Sequence, residues 1–155
     1  MLLNKTWDAR KNHYKWLLQL GLLLMFFWAI PLNSAKLPTI REYQIKAVYL
    51  YNFANFIKWP RATFKSSSAP FQICILGEDP FRTQLDLVVE NEKIKGRVVK
   101  VQRIHYVEDS GSCQIVFVSK SKQRYRAHIF AYLQQRPILT VSDMNDFATK
   151  GGMVQ

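Results

Sequence analysis

Two aspartates close apolar runs in this sequence: Asp79 ends "FQICILGED" and Asp143 ends "PILTVSD". A third run, "CQIVFVS", ends at Ser119. If these runs are parallel strands of one sheet, their carboxyl ends border the crevice where open α/β sheets hold ligands, and either aspartate could there take a proton as a general base. No activated nucleophile, G-x-S-x-G elbow, phosphate-binding glycine loop or metal-ligand set accompanies them. Both are therefore read first as helix caps, Asp79 ahead of Pro80 and Asp143 ahead of "MNDFA", where a carboxylate accepts from unpaired backbone N–H groups. His105 and His128 stand apart and no Cys-x-x-Cys occurs, so no metal and no cofactor is expected.

Cys74 and Cys113 are the two cysteines, and their chemistry depends on the compartment. Lys5, Arg10, Lys11 and Lys15 precede the uncharged run Leu17 to Ile30, which is followed by Pro31-Leu32-Asn33-Ser34-Ala35. A basic start, a short apolar core and a small-residue exit make residues 1–35 a secretory signal peptide; the run is shorter than the roughly 20 residues of a spanning helix, and only with its neighbours counted does it reach the length of an uncleaved inner-membrane anchor, the alternative. The domain is then 36–155. Export favours a bridged pair over two inert buried thiols, and a flavodoxin-like strand order would set the two cysteine-bearing strands side by side, with the bridge near a strand end.

The chain of 155 residues carries a formal net charge of +11, and the segment from Lys36 keeps +8 after losing four Lys/Arg and one Asp. Export removes nucleic acid as a partner, and the basic residues are spread, with local groups only at Lys93-Lys95-Arg97 and Lys120-Lys122-Arg124-Arg126. They read as a solvated face, or as attraction to an anionic membrane surface or an acidic partner.

The elements that must position these residues alternate in type. "FQICIL", "CQIVFVS" and "PILTVSD" are short apolar strand runs, and "EKIKGRVVKVQRI" has the β-branched content of a strand entered through Gly96. Helices are expected from "DPFRTQLDLVV" and "KSKQRYRAHIFAYLQQ", the second with Tyr125, Ile129, Tyr132 and Leu133 at helical spacing. Strands alternating with helices predict a single α/β domain with a mostly parallel sheet flanked by helices, in flavodoxin-like layers.

The stretch "EYQIKAVYLYNFANFIKWP", residues 42–60, holds six aromatic side chains. Its helix is expected to run from Glu42 to Trp59, since Pro60 disfavours helix in the residue before it. At about 100° per residue, Tyr43, Ala47, Leu50, Ala54 and Ile57 share a core stripe. Ile45, Tyr49, Phe53 and Phe56 form a second stripe, read either as covered within the domain or as a surface for a partner or ligand. Charges and amides recur throughout, which excludes a membrane span.

These blocks, followed by "ICILGEDPF", "IKGRVVKV", "CQIVFVS" and "ILTVSDMNDFATKGGM", resemble the YfiR family of exported bacterial regulators over residues 42–153. The resemblance implies a periplasmic, non-enzymatic domain that restrains a membrane-bound diguanylate cyclase by contacting its periplasmic region, and so modulates cyclic di-GMP and biofilm formation. On that reading Tyr49, Asn52, Phe53, Phe56, Trp59, Asp79 and Asp143 are the candidate partner- or ligand-binding residues. A periplasmic small-ligand sensory domain without a dedicated cyclase is the alternative, and a homodimer and a small-molecule ligand stay open as further partners. Family members continue past Gly-Gly-Met with another strand and helix, so a C-terminal strand and helix are expected to be missing after Gln155.

Overall fold

A computed structural model describes residues 40–155; the expectations for residues 1–35 lie outside the described residues. Helix α1 (Ile40–Phe56) precedes strand β1 (Phe71–Leu76), helix α2 (Gln84–Val89), strands β2 (Lys93–Ile94), β3 (Arg97–Ile104) and β4 (Ile115–Val118), helix α3 (Arg126–Leu133) and strand β5 (Leu139–Val141). The strand order is β2-β3-β1-β4-β5. β3, β1, β4 and β5 run parallel, and β2 pairs antiparallel with β3. The expected single α/β domain with a mostly parallel sheet is the observed one.

Alternation along the central strands divides the core into two layers, because successive side chains point to opposite faces. Phe71, Ile73, Ile75, Ile115 and Phe117 meet α1 and α2 through Tyr43, Ala47, Leu50, Ala54, Leu85 and Val89. Cys74, Leu76, Val116 and Val118 face Ile129 and Leu133 of α3, together with Met144 and Phe147. Both faces are covered, which is why β1 and β4 read as near-continuous apolar runs.

Four expectations are corrected. α1 ends at Phe56, three residues before Trp59: Trp59 leaves the helix and sets its ring edge-on to Phe71, 5.6 Å between centroids. The single strand "EKIKGRVVKVQRI" is a hairpin, since Lys95 (φ 49°) and Gly96 (φ 82°) both turn left-handed between β2 and β3, the two-residue geometry whose twist matches paired strands. α2 starts at Gln84, four residues beyond Pro80. The "KSKQRYRAHIFAYLQQ" helix is a 3-10 segment over Lys120–Tyr125 followed by α3.

Cys74 and Cys113 form a disulfide, with Cα atoms 5.8 Å apart. Cys74 sits inside β1 in register with Val116, and Cys113 caps the 3-10 segment Val107–Ser112 just ahead of β4. One partner is thus at a strand end and the other within a strand. After β5, Val154 makes a single parallel bridge to Val141, with Ser142 N–H donating to the Val154 carbonyl and Val154 N–H to that of Thr140. No helix among the described residues is long and apolar enough to cross a membrane.

Candidate functional site

The carboxyl ends of β1 and β4 do converge, but the crevice between them is filled. Gly77 adopts φ +100°, and a Cβ there would lie 2.5 Å from Ser121 Oγ. Glu78 N–H donates to that same oxygen at 3.0 Å. The segment Ser119–Lys122 therefore plugs the position where ligands sit in related topologies.

Asp79 is occupied on both oxygens. Oδ1 accepts from Phe81 N–H at 2.7 Å and Arg82 N–H at 3.2 Å, capping the turn that leads into α2 rather than the helix itself. Oδ2 accepts from Arg103 Nε at 2.9 Å, while the rest of that guanidinium grips Asp86 and the Arg82 carbonyl. Hydrogen bonds from Arg103 hold Asp86 below the usual carboxylate range. Arg103 sits at the outer end of β3, and no local spacing in the sequence announces that it locks this loop.

Asp143 follows β5 and is not the expected cap. Ser142 takes that role, its Oγ accepting from Met144 N–H at 3.1 Å. Asp143 Oδ2 instead accepts from Tyr43 hydroxyl at 2.7 Å and Lys46 Nζ at 2.9 Å, with Lys120 Nζ at 3.4 Å. Lys46 also meets Glu42 at 2.6 Å, the i,i+4 pair visible in the sequence. Burial opposes ionisation of Asp143, but the bonds from Lys46 and Tyr43 and the charges of Lys46 and Lys120 outweigh it, leaving a carboxyl below its ordinary range. Burial and the same carboxylate push the Tyr43 phenol far up.

Beside this cluster lies a groove of about 210 Å³ between α1 and the ends of β4 and β5, lined by Tyr49, Phe53, Phe81, Phe117, Val141 and Asp143 among others. Three of the candidate residues, Tyr49, Phe53 and Asp143, thus meet at one place. Asp79 does not join them. Asn52 is half-buried on the same helix, Phe56 stands 84% exposed at its end, and Trp59 lines a second groove with Arg136 and Met153. Ile45 (53%), Val48 (45%) and Tyr49 (60%) continue the exposed apolar side of α1, whereas Phe53 packs against the core. Val48 was missed as part of this side, although its angle places it within reach of Ile45 and Asn52.

The arrangement suits binding rather than proton transfer. Asp143 Oδ2 is paired with two ammonium groups and accepts from a phenol while its buried Oδ1 has no partner, and the Ser142 hydroxyl beside it in the groove is tied up, donating to the Val118 carbonyl and accepting from Met144 N–H. Among the described residues no cluster of three His, Cys, Asp or Glu could hold a metal ion.

No curated protein matches this sequence. The sequence pattern of the YfiR/HmsC-like family (DUF4154) matches residues 43–155, from the core tyrosine of α1 to the last residue, and the chain belongs to that family.

Proposed function

We propose that this protein is an exported, non-enzymatic regulator that restrains an inner-membrane diguanylate cyclase by docking the outer side of α1 on the enzyme's periplasmic region, lowering cyclic di-GMP and biofilm formation. The observation that carries the reading is the exposed row Ile45, Val48, Tyr49 and Phe56 on a helix whose opposite side is fully committed to the core. Aromatic side chains held on a rigid helix lose little entropy on binding, which makes them effective anchors. Membership of the YfiR/HmsC-like family supports the regulatory role, and the ion-paired carboxylates of Asp79 and Asp143 support a binding protein over an enzyme.

A second reading, a periplasmic sensor of a small ligand, is favoured by the groove beneath Tyr49 and Phe53. The deciding experiment measures cyclic di-GMP in cells that carry the cyclase. Tyr49→Ala and Phe56→Ala are expected to fold and to raise the dinucleotide. Folded variants that leave it at the repressed level would place the docking surface elsewhere.

A further inference from the structure

We infer that the amino end of the sheet, where α1 gives way to the Trp59-Pro60 turn, is a docking surface for an anionic lipid bilayer. Residues 56–65 carry Lys58, Arg61 and Lys65 and no acid. The β2–β3 turn adds Lys95, whose Nζ donates to the Ile57 carbonyl at 2.8 Å and so holds the turn against the helix exit. From the link between α3 and β5, Arg136 joins Lys58 and Trp59 around a shallow groove of about 290 Å³. Two acids stand ahead of the turn, Glu90, exposed at the end of α2, and Glu92, which accepts from the Tyr51 hydroxyl at 2.8 Å, against the five cations Lys58, Arg61, Lys65, Lys95 and Arg136.

Within this ring of cations stand separate apolar points: Phe56, 84% exposed, and Met153, 54% exposed, with the half-buried Trp59 between helix and groove. Protein interfaces are depleted of lysine and built on continuous desolvated cores. A bilayer surface has the opposite requirement, taking isolated aromatic and long apolar tips into its interfacial zone while Lys and Arg meet headgroup phosphates. The carboxyl end of the sheet offers a comparison. There acids are interleaved with the cations: Lys120 faces Asp143, Arg103 is matched by Asp79 and Asp86, and Glu108 lies beside His128, although Lys122, Arg124 and Arg126 after β4 have no acid partner among the described residues. The amino end lacks such pairing for Lys58, Arg61 and Lys65 among the described residues.

The test uses protein released from the periplasm, its N-terminus read by intact mass, and no cyclase, so that its outcome is separate from the docking reading above. Vesicles rich in phosphatidylglycerol should sediment the protein and phosphatidylcholine vesicles should not. Each Lys or Arg near an anionic surface contributes about fivefold in partition, so Lys58→Glu with Arg61→Glu should weaken binding by more than about tenfold. Arg124→Glu with Arg126→Glu, the same charge change just beyond the carboxyl end of β4, should cost less than about threefold. In a chain starting at Lys36, Trp59 is the sole tryptophan, and lipids brominated in their chains should quench it. Absence of vesicle binding, equal loss in both double variants, or an unquenched Trp59 in the bound state would each overturn the inference.

Discussion

The two sides of α1 use similar residues for opposite ends. Tyr43, Ala47, Leu50 and Ala54 are buried on the sheet, where Tyr43 packs edge-on to Phe81 at 5.4 Å and bonds Asp143 through its hydroxyl. Tyr49 and Phe56, also aromatic and on the same helix, stand in solvent. The difference is in what surrounds them. The small residues Ala47 and Ala54 let the helix approach the sheet closely, and Tyr43 finds an acceptor for its hydroxyl; nothing in the described chain covers Tyr49 or Phe56 to that extent. A helix can therefore anchor a fold with one face and keep aromatic groups available on the other.

The contrast assumes a rigid sheet behind α1, and the strongest way to break it is to loosen that sheet. Replacing both Cys74 and Cys113 by Ala removes a cross-link spanning 39 residues and should lower stability by about 4 kcal/mol in the chain-entropy picture. The denaturant midpoint of the oxidised protein against the double variant reads this directly. Next in size, Leu50→Ala empties a fully buried site on the inner side and should cost about 3 kcal/mol, with an unchanged denaturation slope.

Asp143→Asn probes the polar seam where the inner side meets β5. At pH 7 it should cost about 1–2 kcal/mol, because Lys46 loses its most buried counter-charge. The sign with pH follows from the lowered carboxyl: the unfolded chain takes up the proton first as pH falls, so the contribution is complete above about pH 4 and disappears as the pH drops through the lower folded value. Unfolding curves of wild type and Asp143→Asn should thus converge in acid. Parallel curves down to the lowest accessible pH would show that the carboxylate is not stabilised as its contacts imply.

The smallest effect belongs to the outer side. Tyr49→Ala and Phe56→Ala should each change stability by less than about 0.5 kcal/mol, as surface truncations do. A larger loss in either would show that the exposed row is structural, and the two sides of α1 would no longer differ in kind.

Asp79 and Asp143 were legible as strand-end residues because apolar runs followed by a polar break are a local pattern. Their partners were not. Asp143 is held by residues 97 and 100 positions away, and Asp79 by Arg103, 24 positions along in a strand that reads only as β-branched. The capping guess for Asp143 failed at one residue's distance: Ser142, shorter and already buried, supplies the cap, and this frees the carboxylate to turn toward α1.

What the sequence determined by itself was what depends on neighbours in the chain: the apolar strand runs, the alternation of strand and helix, and the inner stripe of α1, all set by periodicities of two and 3.6 residues. The hairpin at Lys95-Gly96 was also local, but its turn was hidden because Lys, which seldom adopts positive φ, takes the first turn position. Only the tertiary structure decided that Ser121 would fill the crevice beyond β1, that Cys74 would bridge from inside its strand, and that the cations after α1 would gather with Lys95 and Arg136 at one end of the sheet. These are meetings between distant segments, and their geometry depends on how the layers pack, a quantity that no window of sequence contains.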